Sequence, residues 1–178
     1  MSPSDSPTAG SSAFSTSDTP ATRRKVGLSD AGVATDGETL VTSGLGSCLG
    51  IALYDPTTGV GGLLHAMLPA AEGRGGLDQK YVVEGIDTLV GDLDDAGADP
   101  TELRAKLAGA AEMIEFDMGS DTDSVGARNV DAAEAALANR QIQIVDSDTG
   151  GSRGRSLRFD TDTGALSVSY AGGETTVL

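Results

Sequence analysis

The stretch 48-CLGIALYDPTTGVGGLLHAMLP-69 holds both the single cysteine and the single histidine of the 178-residue chain. Its two apolar runs are separated by Asp55-Pro56-Thr57-Thr58. Pro56 fixes a turn conformation and cannot continue a strand, and Pro69 stops the return run. The pattern predicts a β-hairpin of Cys48–Tyr54 and Gly59–Leu68 around a four-residue loop, Asp55–Thr58. Counting outward, Tyr54 faces Gly59, Leu53 faces Val60, Ile51 faces Gly62 and Cys48 faces His65. Directly opposed residues of an antiparallel pair have Cβ atoms about 4.5–5.5 Å apart on one face. A one-residue slip would put the two side chains on opposite faces.

Around this hairpin the remaining segments read as an α/β protein. Gly32–Ala34 and Thr39–Val41 flank 36-DGE-38 as a short early hairpin. Asp78–Ala96 carries Val82, Ile86, Leu89, Val90 and Leu93 at helical spacing, with Gly97 as a stop. Leu103–Met113 reads as a strand. Gly126–Arg140 is a second helix with Ser124 as N-cap and Val130, Ala133, Ala136 and Leu137 on its apolar face. Gln141–Val145 alternates as a strand, and Arg155–Asp160 with Ala165–Tyr170 forms a last hairpin around 160-DTDTG-164. The expected architecture is a layered α/β sandwich with a mixed, largely antiparallel sheet covered by two helices. Residues 1–22, mostly Ser, Thr, Pro and Asp, read as a disordered tail, and 23–178 as one folded domain.

Composition narrows the function. Only 3 Phe, 3 Tyr and no Trp are present, so the core is built mainly from Val, Ile, Leu and Ala. The formal charge is −15, with 19 Asp and 8 Glu against 3 Lys and 9 Arg. Such a surface repels nucleic acid and anionic membranes, which need Lys and Arg to meet phosphates. It also fits a salt-rich cytoplasm, where ions screen self-repulsion. One cysteine allows no intramolecular disulfide and points to a reducing, cytoplasmic setting. No stretch approaches the ~20 apolar residues of a membrane span, and no signal-peptide layout is present.

A cysteine beside a histidine is a nucleophile beside its base. A thiol with a pKa of about 8.5 attacks carbonyls poorly, whereas a thiolate paired with imidazolium does so at neutral pH. Gly44-Leu45-Gly46-Ser47 lets the backbone turn tightly, with N–H groups near Gly46 and Ser47 as an oxyanion hole. Thr42 and Ser43 are the nearest upstream groups that could orient the imidazole. A lone cysteine is also, more simply, a small buried hydrophobe. One Cys and one His fall short of a zinc set, so no metal is expected. Gly44-x-Gly46 lacks the lysine and the following helix of a nucleotide loop.

The runs 42-TSGLGSCLGIALYDP-56 and 61-GGLLHAMLP-69 resemble the CheD family of chemoreceptor glutamine deamidases. So do 80-KYVVEGIDTLVGDL-93, 105-AKLAGAAEM-113, 125-VGARNV-130 and 147-SDTGGSRGRSLRF-159, in the same order, covering about Lys25 to the C-terminus. Leu64 stands where the family often has Asn, and Ala108-Gly109-Ala110 where Gly-Gly-Ala is common. The resemblance implies a fold similar to the deamidase domain of cytotoxic necrotizing factors. It implies hydrolysis of selected glutamine side chains to glutamate on cytoplasmic domains of chemotaxis receptors, without a cofactor. Cys48 is then the nucleophile, His65 the general acid/base and Thr42 its orienting residue. Family members also pair with the CheC phosphatase, and some act as receptor methylesterases. The alternatives are a non-catalytic adaptor that docks CheC or a receptor and, with less behind it, a cysteine peptidase.

Overall fold

The structure is a computed structural model that describes residues 22–112 and 123–178. The tail expected over 1–22, apart from Thr22, and Met113 lie outside the described residues.

Ten strands and two helices form among the described residues. They are β1 (Arg23–Lys25), β2 (Asp30–Ala34), β3 (Thr39–Leu45), β4 (Leu49–Tyr54), β5 (Gly61–Ala66), α1 (Val82–Asp95), β6 (Arg104–Gly109), α2 (Val125–Asn139), β7 (Gln143–Thr149), β8 (Arg155–Asp160), β9 (Leu166–Tyr170) and β10 (Thr175–Val177). A 3₁₀ turn at Asp78–Lys80 precedes α1. The strands divide into two five-stranded sheets, ordered β1-β3-β8-β9-β10 and β2-β5-β4-β6-β7. Pairing is antiparallel except for β1 with β3 and β6 with β7. The layered α/β sandwich expected from the sequence therefore forms, with its strands shared between two sheets.

Strands β4 and β5 are buried along their whole length because they lie in the middle layer. One face, with Leu49, Ile51, Leu53, Leu64 and Ala66, packs under α1 and α2 together with Val82, Ile86, Leu89, Ala133 and Leu137. The other face, with Ala52, Tyr54 and Leu63, packs on Leu40, Leu45, Leu157, Phe159 and Val168 of the other sheet. Near-continuous apolar runs are what strands covered on both faces require. Lys106 of β6 also points between the sheets, where its Nζ donates to the carbonyls of Gly164 (2.5 Å) and Leu178 (2.9 Å).

The central hairpin forms in a register two positions from that expected. Tyr54 pairs with Gly61, and Gly50 rather than Cys48 pairs with His65. The cause is Asp55, which follows β4 and continues the pairing by one hydrogen bond instead of opening the loop. Its N–H donates to the Val60 carbonyl (2.9 Å), and its own carbonyl accepts from Gly59 N–H (3.0 Å). Its buried carboxylate accepts from the N–H groups of Thr57 (2.8 Å) and Asp99 (2.9 Å). The turn is thus Pro56–Gly59. Because side chains alternate with period two, the shift keeps Cys48 and His65 on one face.

The early hairpin also resolves differently. Strand β2 pairs with β5, and β3 pairs with β1 and β8, so 35–38 carries the chain from one sheet to the other. Ala31 and Val33 pack with the helix-side core, whereas Leu40 is buried in the core between the sheets. A local hairpin could not serve both layers. Ser124 caps α2 as expected, accepting from Ala127 N–H at 3.1 Å.

Candidate active site

The site lies where the β3–β4 loop, the end of β5 and the first turns of α2 meet. Thr42 is buried on β3 of one sheet and His65 on β5 of the other. Thr42 Oγ1 and His65 Nδ1 are joined at 2.8 Å. This bond crosses between the sheets and fixes the ring, leaving Nε2 as the ring nitrogen open to another partner. Nε2 is buried and has no hydrogen-bond partner among the described residues. For that atom to take a proton, Nδ1–H must donate to the threonine oxygen.

Cys48 precedes β4 and is half-buried against the core between the sheets, on the face that His65 shares. No hydrogen bond joins the thiol to the imidazole among the described residues. The residue directly opposite His65 is Gly50, where a Cβ would come within 2.3 Å of Leu157 Cδ1. A glycine there lets the two sheets close beside the site. Burial pushes the Cys48 thiol up, against a smaller opposing pull from its own backbone N–H. Burial pushes the His65 imidazole down. Both directions favour the neutral thiol and the neutral imidazole, against the ion pair expected from the sequence.

Gly46 and Ser47 form the loop before the cysteine, and their two carbonyls and that of Cys48 are all occupied. Gly46 O accepts from Ala111 N–H (2.8 Å) and Cys48 O from Ala110 N–H (2.7 Å). Ser47 O accepts from Asn129 Nδ2 (2.9 Å). The N–H groups of Gly46 and Ser47 donate to no described residue, and that of Cys48 meets no acceptor beyond its own sulfur. The turn that supplies the first two donors fits closely: Gly109 has φ +117°, and a Cβ on it would stand 2.6 Å from the Cys48 carbonyl oxygen. Arg155, buried on β8, holds that turn from the far side by donating to the carbonyls of Gly109 (3.2 Å) and Gly150 (2.8 Å).

Thr42 and His65 are thus joined across the two sheets, and Cys48 lies on the face that His65 shares, two positions before the partner of His65, Gly50, while Ser43 is exposed and does not reach the imidazole. Sequence reading passed over Asn129. It lies on the buried stripe of α2 with Gly126, Ala133 and Leu137. A polar residue at that spacing inside an apolar stripe was the available signal. A hollow of about 280 Å³ lies lined by Arg23, Lys25, Thr42, Ser43 and Arg158, but not by Cys48 or His65. No group of three metal-ligating side chains exists among the described residues. No helix among them is long and apolar enough to cross a membrane.

A family model described as CheD chemotactic sensory transduction matches residues 67–170. The chain belongs to the CheD family. It is 45% identical over 158 residues to the probable chemoreceptor glutamine deamidase CheD of Natronomonas pharaonis, covering 88% of this chain and 93% of that one. It is 47% identical over 146 residues to the probable chemoreceptor glutamine deamidase CheD 2 of Geobacter metallireducens, covering 80% and 90%. The chemoreceptor glutamine deamidase CheD of Halalkalibacterium halodurans is 40% identical over 149 residues, covering 81% and 91%. Among solved structures, the hypothetical protein YfiH of Bacillus licheniformis gives a TM-score of 0.46 at 14% identity, over 68% of this chain and 51% of that one. The family match begins two residues after His65, so the site of this CheD-family member rests on its own geometry.

Proposed function

We propose that this CheD-family protein deamidates glutamine side chains of chemoreceptors with Cys48 as nucleophile, His65 as acid/base and Thr42 as the residue that orients the ring. The observation that carries the reading is the 2.8 Å Thr42–His65 bond, which turns Nε2 into the layer where Cys48 packs.

Cys48 Sγ attacks the amide carbon while its proton passes to His65 Nε2. The carbonyl oxygen becomes an oxyanion facing the free N–H groups of the Gly46–Cys48 loop. His65 returns the proton to the nitrogen, which leaves as ammonia, and a thioester remains. Water then attacks the thioester carbon, giving its proton to Nε2. The collapsing intermediate expels the thiolate, which recovers that proton and frees the glutamate side chain. Binding the substrate excludes water and brings the thiol and imidazole into contact, since catalytic hydrogen bonds tighten in the substrate complex. No cofactor enters these steps. The receptor's cytoplasmic domain as substrate, CheC as a second partner and a cytoplasmic location belong to the same reading.

A non-catalytic adaptor is the second reading, favoured by the missing thiol–imidazole bond and by both groups resting neutral. Mass spectrometry of a chemoreceptor cytoplasmic domain, incubated with wild type and with Cys48→Ala, separates the two. Amide-to-acid conversion at particular glutamines, absent with the variant, is expected. Conversion that survives Cys48→Ala would rule out the cysteine mechanism, and none with folded wild type would leave the adaptor.

A further inference from the structure

A planar trans peptide points its C=O and its N–H in opposite directions, so whatever fixes one fixes the other. In the loop before the nucleophile, Ala111 N–H holds the carbonyl of the Gly46–Ser47 peptide at 2.8 Å, which turns Ser47 N–H the other way. The next peptide, Ser47–Cys48, is held by a side chain alone. Asn129 Nδ2 takes the Ser47 carbonyl at 2.9 Å and, with its second hydrogen, the Met67 carbonyl at 3.0 Å. Met67 lies two residues beyond His65, just past the end of β5.

One fully buried amide group therefore ties the nucleophile loop to the strand that carries the base. Its Oδ1 is buried without a partner among the described residues, an unfavourable placement kept by an amide whose donors are both in use. Helix α2 brings this side chain close because Gly126, one turn earlier, sits against Ala110. A Cβ on Gly126 would stand 2.6 Å from the Ala110 carbonyl oxygen.

We infer that Asn129 is a positioning residue of the reaction: by holding the Ser47 carbonyl it aims the Cys48 N–H at the oxyanion. Asn129 touches neither substrate nor sulfur and acts through the peptide it holds. The inference rests on the cysteine mechanism above and adds the origin of its oxyanion hole.

Two reagents separate aiming from mere support. Acetylation of Cys48 by p-nitrophenyl acetate passes through a tetrahedral oxyanion. Alkylation by iodoacetamide displaces iodide and forms none. Removing an oxyanion donor costs about 10²–10³ in rate, and releasing one from its orientation should cost roughly tenfold to a hundredfold. In Asn129→Ala, Cys48-dependent acetylation should fall by roughly that factor, while alkylation stays within about threefold of wild type. Asn129→Asp, of equal size but turning a carboxylate towards two carbonyls, should behave alike. If Asn129→Ala does not fold, Asn129→Ser carries the same comparison. The inference is overturned if both rates fall together, which marks a structural role. It is equally overturned if acetylation is unchanged, or if wild-type Cys48 alkylates but is never acetylated. Wild type that acetylates yet converts no receptor glutamine would sink the deamidase reading alone, leaving Asn129 to the ratio of the two rates.

Discussion

At the scale of single residues, burial sets the resting chemistry of the site. Cys48 is pushed up and His65 down, so burial favours a neutral pair at neutral pH. Alkylation of native Cys48 by iodoacetamide should therefore rise monotonically into the alkaline range, with a midpoint above the ordinary value of about 8.5. A plateau between about pH 6 and 8 would mean that an imidazolium already holds the thiolate, contrary to this geometry. The lowered His65 also sets a sign for stability. Below about pH 6.5 the unfolded chain binds a proton that the folded one does not, so stability is lost as pH falls towards the folded value. That loss should be smaller in His65→Asn, read as the slope of unfolding free energy between about pH 7 and 5; equal slopes would refute it. Cys48 and His65 were legible because each is the only one of its kind. Asn129 was not, because its two carbonyl partners, Ser47 and Met67, are 82 and 62 positions away in the chain.

At the scale of elements, the register of the β4–β5 hairpin decides whether the site exists. Asp55 holds that register from just beyond the end of β4 and also ties the turn to Asp99, which follows α1. Removing a buried acceptor that satisfies two N–H groups costs about 1–3 kcal/mol. Asp55→Ala should lower unfolding stability by about that much, and Asp55→Asn by less, since one amide oxygen remains as an acceptor. Equal stability of wild type and Asp55→Ala in urea denaturation would show that the register is held elsewhere. Burial alone would raise this carboxyl, but the hydrogen bonds from Asp99, Thr57 and Thr58 outweigh it and hold it below the ordinary range. Its stabilisation is therefore present above about pH 4 and lost as pH falls through the lower folded value. The helices and the last hairpin were readable from periodicity, because their patterns are satisfied by near neighbours. The early hairpin misled because 36-DGE-38 has the local chemistry of a turn. Asp36 and Gly37 do adopt positive φ (56° and 77°), yet the strands on either side part to different sheets.

For the molecule as a whole, a formal charge of −15 on a 178-residue chain is a standing self-repulsion. Five ion pairs join described residues, and in three of them both partners are exposed, so they offset little of it. Raising salt from about 0.1 to 1 M shortens the screening length from about 10 to 3 Å. The midpoint of thermal unfolding should rise by roughly 4 °C or more over that range, given about 2–4 °C per kcal/mol at this size. A flat or falling midpoint in calorimetry would mean that the acidic surface is no adaptation to salt. Between the sheets, the buried Lys106 ammonium is pushed down by desolvation, partly countered by Asp146. It is held by two backbone oxygens and lies 5.5 Å from the centre of the Tyr54 ring.

By itself the sequence determined the α/β class, the helices, the family motifs and the pair of residues able to carry nucleophilic chemistry. Those properties depend on residue type and local spacing, which a chain displays directly. Only the tertiary structure decided that the strands fall into two sheets, that Thr42 meets His65 from the opposite layer, and that Asn129 holds the nucleophile loop. Each of these needs groups far apart in the chain to share one buried space. No local pattern encodes that, because such contacts form only when both faces of the middle sheet are covered.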